Sequence, residues 1–335
     1  MTLRTPLCDL LGIDVPVLQA PIGRASTPEL AAAVSGAGGL GTCAITWMDA
    51  AEVRQTIRRV RELTAAPFGV NVILSWGMNE NLDVALEQRP GVVALAWGDP
   101  SPFTARIHDA GAKLVVSVGS AEEARRAEAA GADAIVAQGW EAGGHVCSEV
   151  STLALVPAVV DVVSVPVIAA GGISDGRGLA AALVLGAGGA WIGTRFLLAD
   201  EAPIHPTYRD LLLEASETCT VHTTLFDGNW QDAPHRALRN STVELWERSG
   251  RPVSGLRPGE GDEIARRGDG SPIHRYDSAM PMATTTGQIE PQSLWAGQGV
   301  GLVHETVPAA EIVQELVADA VAAITATGAE IRSPA

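Results

Sequence analysis

Short apolar runs alternate with helix-like stretches from residue 16 to about residue 215. The runs fall at 15–22, 40–45, 68–74, 92–97, 113–118, 134–138, 165–170 and 190–194. Each is short and mostly apolar along its length, the pattern of parallel strands buried on both faces. Helix signals lie between them. Thr27 is placed as an N-cap with Pro28 at the first helical position. Residues 49–63 carry charges along one helical face. Ser120 is placed as a cap, with Glu123 in the capping-box position. Gly38, Gly111 and Gly131 stand where helices end in the left-handed conformation. Eight strands separated by helices in roughly 200 residues predict an α/β fold, a (β/α)8 TIM barrel. A doubly wound sheet is the alternative, but such sheets usually carry about five to seven strands.

Gly36-Ala37-Gly38-Gly39-Leu40-Gly41 matches the dinucleotide-binding pattern G-x-G-x-x-G. That pattern must follow a strand and open a helix. Here it follows a helix and opens a strand, so it reads as a helix stop and a tight turn. After about residue 216 the pattern changes. Residues 217–291 are rich in Gly, Pro, Arg, Asp and Thr, and 251–271 read as an extended loop. The expected division is a barrel over 1–216, a small second domain or lid over 217–295, and a C-terminal segment over 296–335. The last segment carries a helix whose apolar face is Ile312, Leu316, Ala320, Ala323 and Ile324. It is expected to dock on the barrel or on a partner subunit, which leaves a homodimer open.

Composition narrows the function. The 335 residues are 47% hydrophobic and 19% charged, enough for a large core. A net charge of −16 disfavours nucleic acid and anionic membrane surfaces as partners. A small anion can still be held by backbone N–H groups. Cys8, Cys43, Cys147 and Cys219 lie far apart without metal-ligand spacing, so no metal site is expected. Reduced thiols, no signal-peptide pattern and no apolar run near 20 residues give the expectation of a cytoplasmic protein.

Active sites of barrels lie at the C-terminal ends of the strands. The residues there are Gln19 to Ile22, then Asn71, then Gln138 followed by Glu141, Gly143, Gly144 and His145. Gly171 and Gly172 follow the seventh strand, and Gly193 and Thr194 end the eighth. Those two ends are the usual phosphate site of such barrels, helped by the N-terminus of a following helix. Ser174 and Asp175 start that helix here, and Arg195 is near in sequence. The glycines could equally make tight turns; their pairing at both strand ends favours phosphate. His145, beside two glycines, is a candidate for proton exchange near neutral pH, against a purely structural role. Glu141 could orient it or pin the loop. Trp47, Trp76, Trp97 and Trp140 fall at strand ends, where they would wall a substrate or pack loops. No G-x-S-x-G elbow is present to support a serine hydrolase.

The motifs QAPI (19–22), ELAAAVSGAGGLG (29–41), VNV around Asn71, QGWEAGGH (138–145), AAGGISDGRGLAAAL (169–183), WIGTRF (191–196) and AGQGVGL (296–302) resemble the nitronate monooxygenase family. The resemblance implies a TIM barrel holding FMN non-covalently. It places FMN against Ala20, Ile22, Asn71, Gln138, Gly143, Gly171, Gly172, Trp191, Ile192, Gly193 and Thr194, and makes His145 the catalytic position. It implies oxidation of an alkyl nitronate or nitroalkane with O2, giving a carbonyl compound and nitrite. His145 would remove the α-proton or hold the nitronate as an imidazolium. This sequence departs from the family at Ile22, at Val72-Ile73 and in Val146-Cys147-Ser148-Glu149. The related flavin-dependent enoyl-ACP reductases share EAGGH and AGGI, so NAD(P)H-dependent enoyl reduction is the alternative. A flavin-binding protein without turnover is the second alternative.

Overall fold

The computed structural model describes residues 3–77 and 79–330; the outermost residues of the 1–216 and 296–335 segments fall outside that range. The strands in chain order are β1 (Val17–Gln19), β2 (Gly41–Ala44), β3 (Phe68–Ile73), β4 (Val92–Ala96), β5 (Lys113–Val118), β6 (Ala134–Gln138), β7 (Gly144–His145), β8 (Val167–Ala170) and β9 (Gly189–Ile192). All but β7 form one parallel sheet, in the order β1-β9-β8-β6-β5-β4-β3-β2. A parallel bridge between Leu18 and Leu40 brings β1 back to the entrance of β2 and closes the barrel. Each of the eight expected strands is present, shortened at some ends. Residues 193 and 194 lie beyond β9, and Thr194 opens a helix.

Side-chain direction alternates along each strand. Leu18, Ala94, Val115, Val136, Ile168 and Trp191 fill the barrel interior. Val17, Val93, Val116, Ile135, Ala169 and Ile192 belong to the outer core beneath the helices. The helices in order are α1 (Pro6–Leu11), α2 (Pro28–Gly36), α3 (Ala50–Leu63), α4 (Asn79–Glu87), α5 (Thr104–Asp109), α6 (Ala121–Ala129), α7 (Thr152–Val160), α8 (Gly176–Val184) and α9 (Thr194–Leu197). The short α1, which has no counterpart in the sequence reading, puts Leu7, Cys8 and Leu11 into the interior cluster at the N-terminal ends of the strands. It plugs the barrel opposite the site.

The local signals act as their chemistry requires. Thr27 accepts the Leu30 N–H, and Asp49 with Glu52 closes a reciprocal capping box on α3. Ser120 accepts the Glu123 N–H, but the Glu123 carboxylate takes the Gly119 N–H instead of returning to Ser120. The glycines around Gly41 have a packing role. A Cβ on Gly41 would lie 1.9 Å from the Ala31 carbonyl oxygen, so only glycine lets β2 start directly against α2.

The rest of the chain adds α10 (Pro206–Glu214), β10 (Thr220–Thr223), β11 (His235–Leu238), α11 (Ser241–Arg248), β12 (Glu263–Arg266), β13 (Pro272–His274), β14 (Thr286–Gly287) and α12 (Ala309–Glu330). The 251–271 stretch is therefore not wholly loop: β12 lies within it and pairs with β13 and β14. Its apolar content is two buried residues, Ile264 and Ala265, too few to stand out as a strand in the sequence. Residues 220–238 do more than cover the barrel. β11 pairs antiparallel with β7, so the later segment is stitched to the loop after β6.

Helix α12 packs along α8 and α2. Ile312, Leu316 and Ala320 are buried there, while Ile324 is 39% exposed. Each large apolar side chain so buried contributes about 2 kcal/mol. A Cβ on Gly176 would lie 2.3 Å from Asp319 Cβ, which shows how closely the two helices approach. Among the described residues, no helix is long and apolar enough to cross a membrane.

Candidate functional site

The C-terminal ends of the strands open into a cavity of about 1030 Å³. The inward-pointing positions Ala20, Asn71, Gln138, Ala170 and Trp191 form its floor and walls. Ile22, Gly143, His145, Gly171, Gly172, Gly193 and Thr194 complete the barrel's share. Ile192 is the exception among the expected contacts. It is fully buried in the outer core, because strand alternation turns it away from its neighbour Trp191.

Two amide side chains are held in fixed orientations. Asn71 donates to the Ala94 carbonyl at 3.1 Å, and Gln138 donates to the His145 carbonyl at 3.3 Å. Neither amide oxygen has a protein donor among the described residues, so each is open to a ligand. At the other side, the N–H groups of Gly172, Ile173, Gly193 and Thr194 make no hydrogen bond to the described residues. The segment 296–302 closes against these loops. The Thr194 hydroxyl accepts the Gly297 N–H at 3.0 Å, and a Cβ on Gly143 would meet Gly297 N at 2.5 Å. Backbone donors without partners, gathered beside glycines, make a cradle that can accept an anion.

The following helix does not join that cradle. Asp175 caps α8 by accepting the Gly178 N–H and pairs with Arg177, so a carboxylate already occupies this helix end. Asp175 does not line the cavity. Arg195 is also committed elsewhere. It is buried, donates to the Glu305 carbonyl and lies 3.5 Å from the Glu315 carboxylate on α12. Sequence proximity suggested a phosphate ligand; the side chain instead anchors the C-terminal helix.

Glu141 pins the loop and makes no contact with His145. Its carboxylate accepts both the N–H and the hydroxyl of Thr152, at the start of α7. His145 is held by other means. Its strand β7 places it opposite His235 of β11, and the Val146 N–H donates to Pro234 at 2.8 Å. The residue is therefore fixed by strand pairing, although two glycines precede it in the chain. Its ring stacks on Trp230 at 4.3 Å and lies 5.2 Å from the Trp295 ring. Nε2 is buried without a hydrogen-bond partner among the described residues.

These surroundings change the protonation state expected from sequence. Burial, and then the neighbouring His235, push the His145 pKa down to about 3. Burial pushes His235 down to about 4. His235 Nδ1 lies 2.9 Å from the Ala233 carbonyl, and its Nε2 accepts the Phe226 N–H at 3.2 Å. That pair of contacts sets a neutral ring protonated on Nδ1. Burial likewise favours the neutral form of His145, against an imidazolium anchor and against a base titrating at about 6–7.

A stability prediction follows from these depressed values. Between a pKa of about 6.5 unfolded and about 3 or 4 folded, the unfolded chain binds more protons. Stability is therefore complete above pH 6.5 and lost as pH falls, by about 2 kcal/mol per histidine at about pH 5. The urea midpoint should fall over this range, and less steeply in His145→Asn. Equal slopes in the two proteins would show that His145 titrates normally.

Tryptophans dominate one side of the cavity. Trp47, Trp76, Trp97, Trp230 and Trp295 line it, with ring centroids 5.7 Å apart for Trp47–Trp76 and 4.9 Å for Trp97–Trp230. The Trp76 indole N–H, like His145 Nε2, is buried without a partner among the described residues. Trp97 sits at φ 59°, an uncommon conformation for a bulky residue and one found at functional sites. Trp140 is not part of this wall. It packs beneath the Arg236 guanidinium at 4.8 Å and outside the cavity. Sequence reading missed Trp230, Trp295, Met280 and Met282, which reach the cavity from the later segment. Arg257 holds the base of the Trp230 loop, donating to the Leu225 carbonyl and to the Asp227 carboxylate at 2.7 Å.

The model of the nitronate monooxygenase family matches residues 4–81 and 74–319, nearly the whole chain. The chain belongs to this family. As a nitronate monooxygenase family member it is a flavin-dependent TIM-barrel oxidoreductase. Similar proteins in and around the family carry different activities. A Mycobacterium tuberculosis protein named (3aS,4S,5R,7aS)-5-hydroxy-7a-methyl-1-oxo-octahydro-1H-indene-4-carboxyl-CoA dehydrogenase is 40% identical over 75% of this chain and 70% of its own. A nitronate monooxygenase of Paraburkholderia phytofirmans is 35% identical over 93% of this chain and 94% of its own. The structure of FabK from Thermotoga maritima superposes with a TM-score of 0.83 at 35% identity, covering 98% of this chain and all of that one.

Proposed function

We propose that the cavity holds FMN and that the enzyme reduces the activated double bond of an enoyl thioester with NAD(P)H. Gly172, Gly193 and Thr194 would hold the phosphate through backbone N–H groups. Ala20, Ile22, Asn71, Gln138, Gly143 and Trp191 would border the ring system. The unpartnered donors beside the glycines, and the open amide oxygens of Asn71 and Gln138, fit such a group. FMN, when bound, supplies hydride transfer; the protein supplies position, charge and exclusion of water.

The observation that carries this reading is His145, packed against Trp230 and Trp295 at a large aromatic cavity, with Nε2 unpartnered among the described residues. An anionic nitronate is best held by a cation, which this imidazole is not. A neutral thioester needs a hydrogen-bond donor on its carbonyl, and a neutral imidazole can polarise a carbonyl in that way. The tryptophan wall would take the acyl chain and keep water from the reacting carbon. The 217–295 segment, which supplies Trp230 and Trp295, would act as a lid.

Nitronate oxidation is the second reading, favoured by the family model and by the Paraburkholderia relative. Anaerobic mixing of the flavin-loaded enzyme separates the two. Bleaching of the flavin by NADPH and its recovery with an enoyl-CoA is the expected outcome. Bleaching by an alkyl nitronate, with no response to NADPH or NADH, would give the second reading instead.

A further inference from the structure

A second cleft, of about 440 Å³, lies on the outer surface between the start of α2 and α3. Arg24 lines both this cleft and the main cavity, so the two spaces share a wall. The cleft also presents Arg58, Arg59 and Gln55, with Pro28 and Met48 as apolar surface. Two of the three guanidiniums are free of carboxylates. Arg24 makes no hydrogen bond or ion pair among the described residues, though Asp269 lies within its electrostatic reach. Among the described residues, Arg58 donates only to the Arg54 carbonyl. Arg59 pairs with Glu29 and Glu62.

The two acidic side chains of the cleft are already engaged. Glu52 takes the Asp49 N–H at the cap of α3, and Glu62 faces Arg59. Arg24 and Arg58 are both exposed and lack carboxylate partners among the described residues. Repulsion from so acidic a surface would weaken any anion that lacked a specific cationic site. An arginine fork matches phosphate oxygens, and the apolar floor of Pro28 and Met48 beside it suits a base. The Thr56 hydroxyl is turned to the Met48 sulfur at 3.5 Å, which holds that floor in place.

We propose that this cleft docks the ADP diphosphate of a ligand whose reactive end enters the main cavity past Arg24. Coenzyme A and NAD(P)H share that diphosphate chemistry. Naming these two ligands rests on the enoyl-thioester reading; the cleft as an ADP-diphosphate site does not.

The test has a binding arm and a kinetic arm, both on the FMN-loaded enzyme. ADP titrated by calorimetry should bind, with affinity reduced about tenfold by Arg58→Ala and further by Arg24→Ala with Arg58→Ala. Flavin content should not change in Arg58→Ala, because this exposed side chain does not line the main cavity. In the kinetic arm, Arg58→Ala should raise KM for an enoyl-CoA about tenfold and leave kcat unchanged. It should leave KM for the same acyl group on N-acetylcysteamine unaltered. A rise in KM for NADPH instead would assign the cleft to the nucleotide, which also supports the proposal. Absence of ADP binding, or binding insensitive to both substitutions, would overturn it. ADP binding that depends on Arg58, in an enzyme that reduces no enoyl thioester, would support the cleft and remove the proposed reaction.

Discussion

Replacing His145 with Ala is expected to lower kcat on an enoyl thioester about 10²- to 10³-fold, with FMN content unchanged. That range is typical for loss of one donor to a developing oxyanion. The fold should survive because β7 pairs with β11 through backbone groups that Ala also carries. His145→Asn keeps an N–H donor and should recover part of the loss; Ala should not. The pH profile supplies a second readout. With a pKa near 3, the imidazole stays neutral across the working range, so kcat/KM should show no histidine break between about pH 5 and pH 8. A break near 6–7 that disappears in His145→Ala would restore the role of a titrating base. Unchanged activity in both variants would make the residue structural.

Gly193→Val is expected to strip FMN from an intact barrel. Gly193 has φ −105°, a conformation open to any residue. A Cβ there would lie 3.5 Å from Ile22 and 3.8 Å from Ala20, ordinary contact distances. The protein therefore accommodates the substitution, while the added methyls enter the space above the cradle. FMN affinity should fall at least about 10²-fold, or roughly 2.7 kcal/mol. Thermal unfolding of the flavin-free forms should differ little between variant and parent. Gly171→Ala gives the contrasting case. At φ 110°, with a Cβ 2.8 Å from the Thr152 hydroxyl and 3.0 Å from the Gly139 carbonyl oxygen, it should lose fold stability. Native FMN affinity in Gly193→Val would show that the phosphate lies elsewhere.

The barrel was legible because its signals are local. Strands β5 and β6 fall on the expected residues, since a parallel strand covered on both faces needs an apolar run. Thr27, Asp49 and Ser120 cap helices because a short side-chain oxygen can reach a free N–H within one turn. Strand alternation also placed Asn71, Gln138 and Trp191 at the same mouth as Gly172 and Gly193. The sequence alone thus determined the barrel, the glycine-lined end of it and the set of loops that meet there.

Other features depend on contacts between distant segments. Arg195 beside Gly193-Thr194 looked available to an anion, until α12 brought Glu315 to it from 120 residues away. Trp140 resembles Trp97 in its position at a strand end, yet Arg236 holds it outside the cavity. His145 carries no sequence mark of its lowered pKa. That shift comes from burial under Trp230 and Trp295 and from His235, all contributed by residues 230–295. Desolvation depends on what surrounds a group in space, and no local pattern encodes it. Tertiary structure alone therefore set the surroundings of the central histidine, and burial there favours its neutral form.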